Sequence, residues 1–150
     1  MSYLSRDPVE VAELITAVQS ARDGAIATFL GVIRDHHDGK SVTELEYTGY
    51  EPMAQTVAAA VVAEAESRWP VRVGLRHRLG RLVIGDVAVA VVVAGAHRDE
   101  AFAACRFVVD EVKRRVPIWK RERYPDGTEA WVDPTAAGGG HPVGEVQRIW

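Results

Sequence analysis

Cysteine, long apolar runs and secretion signals are scarce or absent in this sequence. Cys105 is the single cysteine, so no disulfide can form within the chain, and no CxxC pair is present for zinc or redox chemistry. The longest apolar run, residues 87–94, is far shorter than the ~20 residues that a membrane-spanning helix needs. The first residues lack the basic and then apolar pattern of a secretion signal. We therefore expect a cytoplasmic protein without a membrane partner.

Net charge is also small, at −3 over 150 residues. Because domains that bind nucleic acid are usually basic, this balance argues against a nucleic-acid partner. The length is typical of one domain with its own hydrophobic core. Glycine is concentrated at residues 138–140, so we predict one domain over residues 1–133 and a glycine-rich tail over residues 134–150.

Hydrophobic periodicity predicts three helices and six strands. The predicted helices begin at Asp7-Pro8, Pro52 and Asp99 and end near Gly24, Trp69 and Arg115. The predicted strands are residues 25–33, 42–50, 71–79, 87–94, 118–124 and 129–132. In the third helix, the spacing of Phe102, Cys105, Val109 and Val112 indicates the buried face. Because helices and strands do not alternate strictly, we predict an α+β fold with a mostly antiparallel sheet.

Basic side chains are concentrated in residues 106–123, although the whole chain is mildly acidic. A local positive region on an acidic protein indicates binding of a particular anion. Lys113 flanks the apolar stripe of the third helix, so its stem can lie along apolar surface while its amine faces a cleft. Lys120 follows on the next strand, where the two amines can converge. The alternative is a solvated helix end whose charges complement the helix dipole, and we favour it for Arg114 and Arg115.

Two further basic segments follow predicted strands. His97 and Arg98 precede the third helix, where free backbone N–H groups favour an anion. Arg34 opens the polar loop RDHHDGK, and ordinary loop residues are the alternative in both places. That loop also contains residue types that ligate metals, but neighbouring residues rarely converge without a further ligand, so we expect no metal. Cys105 lies on the apolar stripe as a core residue, and no motif predicts a cofactor.

Four segments together resemble the large, catalytic subunit of molybdopterin synthase. They are GAIATFLGVIRDHHDGKSV, LEYTGYEPMA, AGAHRDEAF and VDEVKRRVPIWKRERYPDGTEAWV, and they cover most of residues 24–132 in the family's order. The resemblance implies an α/β hammerhead-like fold and a sulfurtransferase activity in molybdenum cofactor biosynthesis. Two sulfurs would pass to cyclic pyranopterin monophosphate from the thiocarboxylated C-terminus of a small ubiquitin-like carrier ending in Gly-Gly. It also implies a homodimer within a heterotetramer.

The same resemblance assigns the site residues. It makes Lys113 and Lys120 catalytic, with Lys113 nearest the carrier's C-terminus and Lys120 anchoring the substrate. The implied substrate-binding residues are Val32, Ile33, Arg34, His97, Arg98, Lys113, Lys120, Arg121 and Glu122. Arginine holds a phosphate through two parallel hydrogen bonds, and lysine stabilises developing oxyanions. A non-catalytic anion- or RNA-binding module on the 106–123 surface is the alternative function.

The chain departs from the family's pattern at two places. His37 stands where the family's loop usually carries an asparagine, and residues 136–141 make the tail atypical. Arg148 lies near the end of that tail, and the sequence leaves its role open.

Overall fold

Three helices and ten strands form residues 2–132, the part of the chain that the computed structural model describes. The helices are α1 (Val11–Val18), α2 (Glu51–Arg68) and α3 (Arg98–Arg115). The strands are β1 (Leu4–Ser5), β2 (Ala25–Val32), β3 (His36–His37), β4 (Lys40–Ser41), β5 (Glu44–Gly49), β6 (Val71–Arg78), β7 (Gly80–Val83), β8 (Val87–Gly95), β9 (Ile118–Arg123) and β10 (Glu129–Val132). The predicted α+β class is confirmed, because strand pairs other than β1–β6 are antiparallel in these residues. The predicted tail, with Arg148, lies outside the described residues.

The first sheet has the strand order β1-β6-β8-β2, so β8 lies inside it. Helices α2 and α3 pack on one face, while α1 packs on the other face over β6 and β8. Because β8 is covered on both faces, residues 88–95 are all buried, which explains its unbroken apolar sequence. Gly74 on β6 leaves room for α1, since a Cβ there would make a tight contact of 3.2 Å with Cγ1 of Val18.

The second sheet has the strand order β10-β9-β5-β7. Its register pairs Lys120 with Tyr47 and Glu122 with Leu45. Cross-strand partners share a face, and both partners on β5 are buried, so Lys120 and Glu122 point into the protein. Arg121 lies between them and therefore points to the opposite face. Strands β3 and β4 form a separate small hairpin.

Several element boundaries differ from the prediction. Helix α1 begins at Val11 rather than at Asp7-Pro8, because the preceding residues lead out of β1, which pairs with β6. Strands β1, β3, β4 and β7 are missing from the prediction, since such short strands show no clear period. The buried face of α3 is rotated, because small side chains such as Ala101 and Ala104 pack against the sheet and leave Phe102 66% exposed. No helix within residues 2–132 combines the length and apolarity needed to span a bilayer.

Candidate active site

Lys113 and Lys120 are both buried, on either side of a tight connection. Lys113 lies in the last turn of α3, and Pro117 separates that helix from β9. Only 9% of Lys113 and 3% of Lys120 is exposed to solvent. Rotation of the buried face of α3 brings Lys113 inward, while the alternation of β9 brings Lys120 inward. The charge of Lys120 also acts on Lys113, so the structure brings the two predicted lysines near each other.

Burial lowers the pKa of each lysine to about 8. For Lys113, the positive charges of Lys120 and Arg34 lower the pKa further, and Asp110 opposes them. For Lys120, the Glu122 carboxylate raises the pKa against the larger effect of burial, and Arg34 lowers it. Near neutral pH each side chain is mostly an ammonium group but can release its proton at little cost. The pair can therefore bind anions and exchange protons.

Arg34 lies at the mouth of the same site. It follows the end of β2, where Val32 is 43% exposed and Ile33 is buried. Ile33 continues the strand, because its N–H donates to the Asp86 carbonyl at 2.9 Å and its carbonyl accepts from Gly85. A small pocket between the two sheets is lined by Arg34, Lys120 and Glu122 among others. The charge of Arg34 lowers the pKa of both lysines, so the guanidinium lies close to each of them.

The Glu122 carboxylate is buried near Lys120 and contacts both Lys120 and His37. Its side chain is 1% exposed, and its Oε1 lies 3.7 Å from Nζ of Lys120. The same oxygen lies 2.7 Å from Nδ1 of His37. Glu122 is thus a buried counter-ion of Lys120. His37 is not among the predicted site residues, because it lies 85 residues before Glu122 and no local pattern links the two.

Arg121 is placed on the other face of β9. Its guanidinium forms ion pairs with Glu46 at 2.7 Å and Glu129 at 3.3 Å, and it lies 5.4 Å from the ring of Trp131. The structure does not bring it beside Lys120.

His97 and Arg98 lie at the far end of α3 from the lysines. Both are exposed, and the His97 N–H donates to the Glu100 carboxylate at 3.0 Å. At 1.5 Å per residue, Lys113 is roughly 24 Å further along the helix axis than His97. Within one chain, these two residues therefore do not join Arg34 and the lysines.

Several arginines of the 106–123 region are paired with acidic neighbours. Arg114 pairs with Glu111 at 2.6 Å, and Arg115 pairs with Glu64 at 2.8 Å. On β9, Arg123 pairs with Glu129 at 2.9 Å. A surface of paired charges attracts polyanions weakly, so the alternative RNA-binding function gains no support. Within residues 2–132, no cluster of three or more His, Cys, Asp and Glu side chains could hold a metal.

Replacing Lys113 with methionine is expected to stabilise the fold while removing a site residue. The lowered pKa means that the ammonium is less favourable in the folded chain than in the unfolded chain. At neutral pH we expect the variant to raise the free energy of unfolding by on the order of 1–3 kcal/mol. The gain should be full below pH 8 and shrink toward pH 10.5, because the folded lysine is then already neutral. Urea unfolding at pH 7 and pH 9.5 measures this; an equal gain at both would contradict it.

The sequence and the fold are both similar to those of known proteins. The family described as "MoaE protein" matches residues 4–115. A Nostoc sp. protein named molybdopterin synthase catalytic subunit is 42% identical over 127 residues, which are 83% of this chain and 77% of the relative. The crystal structure of molybdopterin synthase from Staphylococcus aureus has a TM-score of 0.83 and 30% identity, covering 88% of this chain and 98% of that chain. A chain in the Helicobacter pylori complex of subunits 1 and 2 of molybdopterin-converting factor shares the fold, with a TM-score of 0.71 and 23% identity, covering 93% and 92% of the two chains.

Proposed function

This chain belongs to the MoaE family of molybdopterin synthase catalytic subunits, and on that premise we propose that it is a sulfurtransferase. In the proposed reaction, two sulfur atoms pass from the thiocarboxylated C-terminal glycine of a small ubiquitin-like carrier to cyclic pyranopterin monophosphate, which yields molybdopterin. Because each thiocarboxylate carries one sulfur, two carrier molecules are consumed per pterin. Each transfer breaks the C–S bond of one carrier, which is left as a carboxylate with an oxygen from water, and the pterin carbon that receives the sulfur loses a bond to oxygen. The observation that carries the proposal is the pair of buried lysines with lowered pKa values beside Arg34.

Both substrates are anions, and the site offers each of them a cation. Arg34 holds the pterin phosphate at the mouth of the pocket, since a guanidinium forms two parallel hydrogen bonds with phosphate oxygens. Lys120 anchors the substrate and stabilises negative charge that develops on oxygen during transfer. Lys113 lies nearest the carrier's C-terminus, where a group with a pKa of about 8 can exchange a proton near neutral pH. Glu122 keeps the charge of Lys120 partly balanced.

We further propose that the working unit contains a homodimer. Strand β2 is an edge strand of the first sheet, and its outer face exposes Ile26, Leu30 and Val32 by 41%, 40% and 43%. Cross-strand pairing puts Ile26 opposite Ala94 and Leu30 opposite Ala90, so these side chains lie on the same face of the sheet as α1. Helix α1 packs over β6 and β8 and leaves this face of β2 uncovered. An unpaired edge with an apolar face favours contact with a second copy.

Pairing of two β2 strands across a two-fold axis would also complete the site. Such strands run antiparallel, so the start of one lies beside the end of the other. Ala25 at the start of β2 pairs with Gly95, two residues before His97, and Arg34 follows the end of β2. The dimer would therefore bring His97 of the partner subunit and Arg98 of the partner subunit toward Arg34. The phosphate site is proposed to be shared in this way.

Reconstitution tests the proposed reaction. The purified chain is mixed with a thiocarboxylated carrier and cyclic pyranopterin monophosphate, and mass spectrometry follows the pterin. We expect a product that has gained two sulfur atoms, while the same carrier with an ordinary carboxylate gives none. If the thiocarboxylated carrier also yields no sulfur-containing pterin, the proposed function is wrong.

A further inference from the structure

The β3–β4 hairpin carries two adjacent histidines with different surroundings. Asp38 and Gly39 form its turn with φ values of 50° and 76°, which suits a tight two-residue hairpin turn. The His37 side chain is 13% exposed and reaches inward to Glu122. The His36 side chain is 63% exposed, and its Nδ1 contacts Asp35 at 2.8 Å. The hairpin thus directs one histidine into the site and leaves the other at the surface.

Glu122 depends on few contacts for its position. Its Oε1 is shared by Nδ1 of His37 at 2.7 Å and Nζ of Lys120 at 3.7 Å. Its Oε2 has no hydrogen-bond partner among the described residues. An ammonium hydrogen bonded to a carboxylate normally lies within 2.7–2.9 Å, so the contact with Lys120 is longer than a direct charge-assisted hydrogen bond. The shortest contact that holds this buried carboxylate is therefore the one with His37.

We propose that His37 is a positioning residue for Lys120, acting through Glu122. Its Nδ1 holds the carboxylate near the ammonium group but outside direct hydrogen-bond distance. Lys120 then keeps the neutralising effect of a buried counter-ion while its N–H groups remain available for the substrate. Asp38 lies near the other ring nitrogen, with Oδ2 3.4 Å from Nε2, but that nitrogen has no hydrogen-bond partner among the described residues. In this inference, only the catalytic role of Lys120 rests on the proposed function.

The geometry predicts what happens when the donor is removed. Without His37, the Glu122 carboxylate is free to turn toward Lys120 and close the 3.7 Å separation. The remaining charged groups that act on Lys120 include Arg34, which lowers its pKa, and Asp38, which raises it. Both stay in His37 variants. A closer carboxylate would raise the pKa of Lys120 above about 8 and occupy donors that the substrate needs.

Four variants separate the effect of the hydrogen-bond donor of His37 from the effect of its side-chain volume. His37→Ala removes both, His37→Asn keeps an amide donor near the position of Nδ1, and His37→Leu keeps apolar bulk without a donor. His36→Ala is the matched control on the exposed side of the same hairpin. We expect His37→Ala to lower kcat at least ~10-fold with KM changed by less than about twofold, because a displaced catalytic group affects turnover more than binding. His37→Asn should recover most of kcat, and His37→Leu should not.

A second measurement does not depend on turnover. The sequence contains three lysines, Lys40, Lys113 and Lys120, so ¹³C NMR of the lysine side chains can follow each one through a pH titration. We expect the Lys120 midpoint to rise in His37→Ala and His37→Leu, and to stay at the wild-type value in His37→Asn and His36→Ala.

The outcomes distinguish this inference from the proposed function. An inactive wild-type protein would overturn the proposed function, while the Lys120 titration would still test His37. Unchanged kcat and an unchanged Lys120 midpoint in His37→Ala would overturn the positioning role. Recovery by His37→Leu but not by His37→Asn would also overturn it, because bulk rather than the donor would then matter. If His37→Ala does not fold, the His37→Asn and His37→Leu pair gives the same decision.

Discussion

Lys120→Ala is expected to lower kcat by about 10²- to 10³-fold, the usual cost of losing a group that stabilises an oxyanion in a buried site. Lys120 is 3% exposed, so water cannot take over its role as it could for a surface lysine. The substitution also leaves the buried Glu122 carboxylate without its ammonium partner, which makes the pocket less favourable for an anion. The measurement is the steady-state rate at which the pterin gains two sulfur atoms, with a thiocarboxylated carrier and saturating pterin.

Two further variants make the Lys120 result specific. Lys40→Ala is the control, because Lys40 is the exposed lysine of the β3–β4 hairpin and lies 5.3 Å over the ring of Tyr124. Lys120→Arg keeps the charge but cannot release a proton. Partial activity of Lys120→Arg would mean that charge is sufficient, and complete loss would mean that proton exchange or shape is needed. A Lys120→Ala variant as active as Lys40→Ala would contradict the assigned role.

The two lysines show which part of a site local sequence can predict. The position of Lys113 at the side of an apolar stripe and that of Lys120 on the following strand are both visible in residue spacing. Burial of Lys113 is stronger than the spacing suggests, because α3 packs through small residues such as Ala104 and turns Phe102 outward. Alternation along β9 also separates Arg121 from its neighbours, although the resemblance groups all of them in one site.

Contacts between distant segments could not be predicted in the same way. His37 and Glu122 meet because β9 pairs with β5 and the β3–β4 hairpin folds over that pair, and neither segment carries a periodic signal for the other. A polar loop with two histidines and two aspartates is equally typical of an ordinary turn. The resemblance implies a reaction class, but only the fold reveals which side chain holds the buried carboxylate.

The separation of His97 and Arg98 from the lysines leads to the prediction about the dimer. Arg98 begins the 18-residue helix α3 and Lys113 lies in its last turn, so a single chain cannot bring them together without breaking α3. If the site is shared, a hybrid of one Lys120→Ala chain and one Arg98→Ala chain contains one site with both defects and one site with neither. We therefore expect the purified hybrid to have about half of the wild-type activity, while each parent homodimer is strongly impaired.

Co-expression with two different tags and sequential purification isolates that hybrid. The matched control is a hybrid of Lys120→Ala with Lys113→Ala, since both lysines are assigned to the same site of their own chain and each site then lacks one of them. This control should stay as inactive as its parents, whereas the hybrid with Arg98→Ala should regain activity. Arg98→Ala alone should cost roughly 10- to 100-fold, the typical contribution of a charged hydrogen bond. If the Lys120→Ala and Arg98→Ala hybrid is no more active than its parents, Arg98 does not complete the site of the neighbouring chain. The proposal that paired β2 strands form a shared site would then be wrong.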